Sequence, residues 1–260
     1  MQAFYNDTDL YCAHWLRNLV AAGHITSGHV DTRDVRDLAS EELDGYEHCH
    51  FFAGVGGWAY ALRLAGWPAD RPVWTGSCPC QPFSKAGRGA GHEDERHLWP
   101  AWARLIRERR PVVVFGEQVA SADGLAWLDV VCTELEDIGY TVAAVDFPAA
   151  GIGAPHARPR VFFVGDTSSA RPSTRELAAV PDPGRSDQRR AALQSGATRG
   201  WADVEWLACT DGKARPAQSG VFPLAHGIPG RVGRLRAYGN AIVPQAAAAV
   251  IRAYMDTAGI

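Results

Sequence analysis

The sequence predicts an α/β protein built on a mostly parallel sheet with helices on its faces. Two observations carry this reading. Short apolar runs of strand length alternate with amphipathic helical patterns through the first half of the chain. One run, PVVVFGE (111–117), is continuously apolar at its start, as a strand covered on both faces must be.

The elements follow in order. AFYN (3–6) reads as a strand, followed by a helix near 10–21 with Trp15, Leu16 and Leu19 on one face. CHFFAGVGG (49–57) reads as a strand ending in a glycine turn, and WAYALRLAGW (58–67) as the helix after it. VWTG (73–76) is a short strand, LWPAWARLIRERR (98–110) a helix, and PVVVFGE (111–117) the buried-type strand. DGLAWLDVVCTELEDIG (123–139) is a helix stopped by Gly139; TVAAVDF (141–147) and VFFVG (161–165) are further strands. From 166 to about 200 the chain is rich in Ser, Pro, Arg and Gly without a period, which predicts an irregular insert. Regular structure is expected again at WADVEWLAC (201–209) and in a closing helix, AIVPQAAAAVIRAYM (241–255).

Composition excludes some classes. With 260 residues, 47% hydrophobic and 21% charged, the chain suits an ordinary globular protein with a real core. No apolar run is long enough to span a bilayer, and Met1 is followed by polar residues rather than a leader pattern. A cytosolic setting is therefore expected, and the six cysteines are not read as a disulfide framework. Charge is uneven: residues 1–153 hold 12 Lys/Arg against 21 Asp/Glu, and residues 154–236 hold 13 against 7. An acidic body with a basic later third suits an enzyme core carrying a polyanion-binding segment. Uneven surface charge is the plain alternative.

Five motifs could carry chemistry. FAGVGGWA (52–59) lets the backbone turn sharply and approach a ligand at a helix N-terminus, although an ordinary tight turn fits it as well. GSCPCQPFSKAG (76–87) delivers Cys80 from a strand end, beside Pro79 and Gln81, where a thiolate would be a potent nucleophile. A metal loop would need ligands such as His48, Cys49, His50, His92 and His97, but no second cysteine pair at metal spacing supports it. FGEQVA (115–120) puts Glu117 at a strand end, as an acid of raised pKa or as a cap for the next helix. APHARPRVFFVG (154–165) puts Arg158 and Arg160 on one face of an extended stretch, suited to a phosphate or a base carbonyl, or to solvent. YGNAIVPQ (238–245) puts Gly239 and Asn240 at a helix start, where capping is the simple reading.

Taken in series, FAGVGG, PCQPFS, E-x-V, R-x-R and GNAIVP resemble the DNA cytosine carbon-5 methyltransferases, over all but about 166–230. Three positions depart from the family: EQV stands for ENV, Cys78 for a proline, and His156 for a glutamine. The resemblance implies a Rossmann-like fold that uses S-adenosyl-L-methionine. It implies that Cys80 is the covalent nucleophile, Glu117 the partner of ring nitrogen-3, and Arg160 the holder of the base carbonyl with Arg158 in support. Phe52, Ala53, Gly54, Val55, Gly56, Gly57 and Asn240 fall to the cofactor, and Gln81 and Ser84 to DNA. The target cytosine would be flipped out of the duplex.

The order of the pieces is unusual. An acidic residue for the ribose is expected about 20 residues after the glycine turn, but only Asp70 lies there, in a proline turn. AFYNDTDLYCAHWL (3–16) resembles the ribose segment, with Asp7 at the acidic position. HVDTRDVRDL (29–38) resembles the adenine segment, with Asp34 and Val35. The second and third strands are thus expected to precede the first.

The expected organisation is a catalytic domain over 1–165 and 231–260 with a small target-recognition region at 166–230. Arg189, Arg190, Arg199, Lys213 and Arg215 of that region are candidates for phosphate or base contacts. The expected partner is double-stranded DNA, acted on by a cytoplasmic, nucleoid-associated monomer in a prokaryotic or phage-host cell, with a separately encoded restriction endonuclease as a candidate partner. No metal and no membrane are expected. An RNA cytosine methyltransferase and a catalytically idle DNA-binding protein remain the alternatives.

Overall fold

The computed structural model describes residues 2–79, 98–154, 156, 158–168 and 241–260, with the backbone alone at 204–208 and 214–218. Seven strands form one sheet: β1 (Ala3–Asn6), β2 (Gly28–Asp31), β3 (His48–Phe51), β4 (Val73–Gly76), β5 (Val113–Val119), β6 (Thr141–Asp146) and β7 (Arg160–Asp166). Their spatial order is β2-β1-β3-β4-β5-β7-β6. The first five in that order are parallel, and β7 runs antiparallel to both β5 and β6. β8 (Val204–Ala208) and β9 (Ala214–Gln218) form a separate antiparallel pair.

Helices α1 (Leu10–Ala21), α2 (Gly57–Ala65) and α5 (Pro244–Ala258) cover one face, and α3 (Trp99–Arg109) and α4 (Ala122–Asp137) the other. Trp99, Trp102 and Trp127 of α3 and α4 stack edge to face, 5.6–5.7 Å apart, over Phe51, Val114 and Phe163 of the sheet. On the opposite face Trp58 and Leu62 of α2 pack with Ala247 and Ile251 of α5 on Val113, Phe115 and Phe162. Burial on both faces explains why β5 reads as a continuous apolar run. The final helix begins three residues later than the sequence pattern suggests. Val243 is its N-cap and Pro244 its first residue, where a fixed φ and a missing N–H cost nothing.

β3, which runs into the glycine turn, is third in the chain yet lies between β1 and β4. If β3 is counted first, β1 second and β2 third, the order becomes 3-2-1-4-5, that of a Rossmann-like sheet. The chain manages this with two crossings. α1 carries β1 to β2 over the face shared with α2, and the link from β2 returns through 3-10 turns at Val35–Asp37 and Ser40–Leu43, lying against α3. The return drops β3 into the slot beside β1. All four strands from β2 to β4 point the same way, so the loops after them meet at one end of the sheet.

β3 reads HCHF, and its histidines are buried. Cys49 faces the tryptophan layer while His50 stacks on Tyr5 with ring centres 5.0 Å apart, so the three side chains cannot converge on one ion. The His50 ring bonds Thr75 through Nδ1 at 2.7 Å, and complete burial pushes its pKa down to about 3. An unfolded histidine titrates near 6.5, so below that pH the unfolded chain binds a proton the fold refuses. Stability is full above pH 6.5 and falls by about 1.4 kcal/mol per unit as pH drops toward 3. Urea unfolding at pH 7.5 and pH 5 checks this: His50→Leu should lose roughly one proton's worth of the slope.

Candidate active site

The shared end of the sheet holds a cleft of about 250 Å³. Its walls come from the loops after four strands: Asn6 to Asp9 after β1, Asp34 and Val35 after β2, Phe52 to Val55 after β3, and Ser77 and Pro79 after β4. Cys12, Gly57, Trp58, Leu98, Ala241 and Ile242 complete it.

The glycine turn is held to the N-terminal segment directly. The Gly54 N–H donates to Asp7 Oδ2 at 2.7 Å, and the Asp9 N–H donates to Asp7 Oδ1 at 2.9 Å. Burial raises the Asp7 pKa against the pull of those two amides. Phe52 and Gly54 both adopt left-handed φ, 50° and 54°. At Phe52 this costs strain that the surrounding contacts must hold. Gly57 approaches Ile242 so closely that a Cβ would sit 2.7 Å from its side chain. Gly56 instead caps α2 and lines a neighbouring groove, together with Val55 and Gly57. Asp9 caps α1 through the amides of Tyr11 and Cys12. Asp34 caps the first 3-10 turn, and its ion pair with Arg36 at 2.8 Å draws its pKa down. Buried Asn6, which spacing did not single out, donates to Arg33 O at 2.8 Å and so ties the Asp34 loop to β1.

Carboxylates beside a glycine turn, with Val35, Phe52, Trp58 and Leu98 as apolar wall, suit a nucleoside. Such carboxylates accept hydrogen bonds from a diol and an exocyclic amine, and aromatic faces suit a cationic centre. S-adenosylmethionine combines all three features.

A second constellation adjoins the cleft at the ends of β5 and β7. Glu117 is buried, and its Oε1 lies 2.6 Å from Arg160 Nε. Burial pushes its pKa up, while Arg160, Ser77 and Arg158 pull the other way. Glu117 does not cap α4; Ser121 does, through the Gly124 amide. Arg158 has a left-handed φ of 39° and donates to Ala241 O at 2.5 Å, which joins the entry of β7 to the segment before α5. Neither arginine is a merely solvated edge.

Gln118, the departure from E-N-V, has a visible use. Its side-chain N–H donates to Cys78 O at 3.1 Å, and its Oε1 accepts from the Val119 amide at 2.9 Å. That amide clamps the backbone of Cys78 and Pro79, two residues before Cys80. Cys80, Gln81, Ser84, Arg189, Arg190, Arg199, Lys213 and Asn240 lie outside the described residues, and Arg215 lies in β9, described by its backbone alone.

The class defined by this fold is a Rossmann-like α/β protein with an acidic, glycine-lined cleft at the ends of its parallel strands. Residues 68–195 match the model of the C-5 cytosine-specific DNA methylase family. It is 31% identical over 172 residues to the type II methyltransferase M.PspPI of Psychrobacter sp. (strain TA137), covering 50% of this chain and 41% of that protein. It is 28% identical over 167 residues to the type II methyltransferase M.HhaI of Haemophilus parahaemolyticus, covering 49% and 51%. The chain thus spans about half the length of these relatives, or less. Among solved structures, the S. pombe Dnmt2 methyltransferase superposes over 70% of this chain and 57% of its own, with 12% identity and a TM-score of 0.42. Among the described residues no helix is long and apolar enough to cross a membrane.

Proposed function

We propose that the protein transfers a methyl group from S-adenosylmethionine to carbon-5 of cytosine in duplex DNA. One observation carries this reading: the acidic glycine-lined cleft reaches Pro79, the residue before Cys80, and the strand paired with β4 carries the buried Glu117 of the Glu117–Arg160 pair. Carbon-5 is a weak nucleophile until something adds at carbon-6. Cys80 forms a carbon–sulfur bond there as Glu117 gives ring nitrogen-3 a proton, so that electrons drain into the ring. Arg160 steadies Glu117 and faces the base carbonyl, and Arg158 holds the loop. Bound S-adenosylmethionine would supply an electrophilic methyl group, held by Asp7 at its ribose, by Asp34 and Val35 at its adenine, and by the cleft-lining residues Phe52 to Val55 and Gly57. Loss of the carbon-5 proton then breaks the carbon–sulfur bond and frees Cys80. The base leaves the duplex to reach the sulfur.

Base-resolution detection of 5-methylcytosine in DNA treated with the pure protein tests the reading. It also separates this function from an RNA substrate or an idle binder, since either leaves the DNA unmodified.

Residues 166–230 serve as the target-recognition region in this proposal. Arg189, Arg190, Arg199, Lys213 and Arg215 supply its phosphate contacts, so affinity should fall steeply with salt. Alanine at all five should flatten the salt dependence; an unchanged slope and unchanged target sequence would remove the assignment.

A further inference from the structure

The loop after β2 brings Asp34 to the cleft with its backbone fixed on both sides. Asn6 donates to the carbonyl of Arg33 at 2.8 Å, and the Asp37 amide donates to the carbonyl of Asp34 at 2.9 Å. What remains free is the turn of the Asp34 side chain, and one residue takes it. Oδ1 accepts the Arg36 amide and Arg36 Nε, each at 2.9 Å, while Oδ2 accepts Arg36 Nη2 at 2.8 Å. A carboxylate has about four acceptor sites, two to each oxygen. Oδ1 is thus filled, and Oδ2 keeps one site. Arg36 is not among the described residues that line the cleft, so it grips the carboxylate from outside. Asp7 is spent differently: one backbone amide on each oxygen leaves one site on each. The cleft therefore offers a pair of acceptor sites at one carboxylate and a single site at the other.

We infer that Arg36 is a positioning residue that sets cofactor specificity, fixing Asp34 so that it accepts one N–H and rejects a carbonyl. The inference rests on the proposed methyl-transfer function and deepens it. Two sites on Asp7 match the two hydroxyls of a ribose, and the single site on Asp34 matches the exocyclic amine of adenine. A 6-oxo purine puts an oxygen lone pair where the amine would place its N–H, so a held carboxylate repels it. A carboxylate free to turn could leave that oxygen and take the ring N1–H that a 6-oxo purine carries instead. The planar guanidinium fork holds both oxygens at once, which the single ammonium of a lysine cannot do. A half-exposed ion pair adds little to folding, so variants of Arg36 should fold normally.

The test is calorimetric titration of the full chain without DNA. The paired probes are S-adenosylhomocysteine and S-inosylhomocysteine, which carries a carbonyl in place of the 6-amino group. The wild type should prefer the amine by about 10-fold or more, the worth of one charge-assisted hydrogen bond. Arg36→Ala should cut that preference to about threefold or less, since the freed carboxylate can serve either ligand. Asp34→Ala should do the same, and the double variant should lose nothing further, because one residue acts through the other. Arg36→Lys keeps the charge without the fork and should restore little of the preference. Each ratio compares two ligands on one protein, so a general loosening of the fold weakens both and leaves the ratio as it was. A wild type that binds both ligands alike, an unchanged ratio in Arg36→Ala, or full restoration in Arg36→Lys would overturn the inference and leave the cofactor reading standing. A wild type that binds neither ligand would overturn the cofactor reading and the inference with it.

Discussion

Cys80→Ser is expected to abolish methyl transfer, by on the order of 10⁴-fold or more, while cofactor affinity stays near normal. Serine oxygen at neutral pH is a far weaker nucleophile than a thiolate. Cys78→Ser is expected to keep activity. Cys78 is 2% exposed and packs in the tryptophan layer under the sheet, so its sulfur is a core atom rather than a reagent. A hydroxyl in this apolar layer costs stability of roughly 1–3 kcal/mol, the penalty for burying a more polar group. The backbone carbonyl that Gln118 clamps survives the change. Trapping on a duplex carrying 5-fluorocytosine reads the difference, since fluorine cannot leave as a proton does. The wild type and Cys78→Ser should give a protein–DNA adduct stable to denaturation, and Cys80→Ser none. The reverse pattern would move the nucleophile to Cys78.

Strand and helix identities were legible where local chemistry and tertiary demand agree. VWTG is a four-residue strand in both sequence and structure, and the helix after it ends where Arg109 gives way to a left-handed Arg110. β2 was harder. GHVD has no apolar run and took shape only as part of an acidic pattern shared with a family. β3 shows why composition misleads: two of its four residues are histidines, yet all four are buried. The site was legible where single residues carry chemistry, as at Glu117 and Arg160, which the fold brings to 2.6 Å. Asn6 and Gln118 were not, because a side-chain amide becomes informative only once its partner is known. Those partners lie far off in sequence: Gln118 reaches back 40 residues to Cys78, and Asn6 forward 27 to Arg33.

The most exposed expectation concerns the transposed half of the cleft. Asp7 precedes the glycine turn by 47 residues, yet its carboxylate accepts the Gly54 amide at 2.7 Å. Each carboxylate oxygen has two acceptor sites, so two backbone amides leave room for the hydroxyls of a ribose. Asp70, the only acidic residue between the turn and Cys80, precedes β4 and so sits at the opposite end of the sheet from the cleft. Asp7→Ala should therefore weaken S-adenosylhomocysteine binding by about 10- to 150-fold, the equivalent of a charge-assisted hydrogen bond worth roughly 1.5–3 kcal/mol. Asp70→Ala should leave it within about twofold, as surface substitutions usually do. Because Asp7 also holds the glycine turn, Asp7→Asn is the sharper variant. The amide oxygen can still accept from Gly54 while the negative charge that favours the ribose hydroxyls is gone, so an intermediate loss is expected. Calorimetric titration of the three variants without DNA makes the comparison independent of catalysis. A large loss in Asp70→Ala with none in Asp7→Ala would place the ribose elsewhere, and the N-terminal strands would then complete the sheet without serving its site.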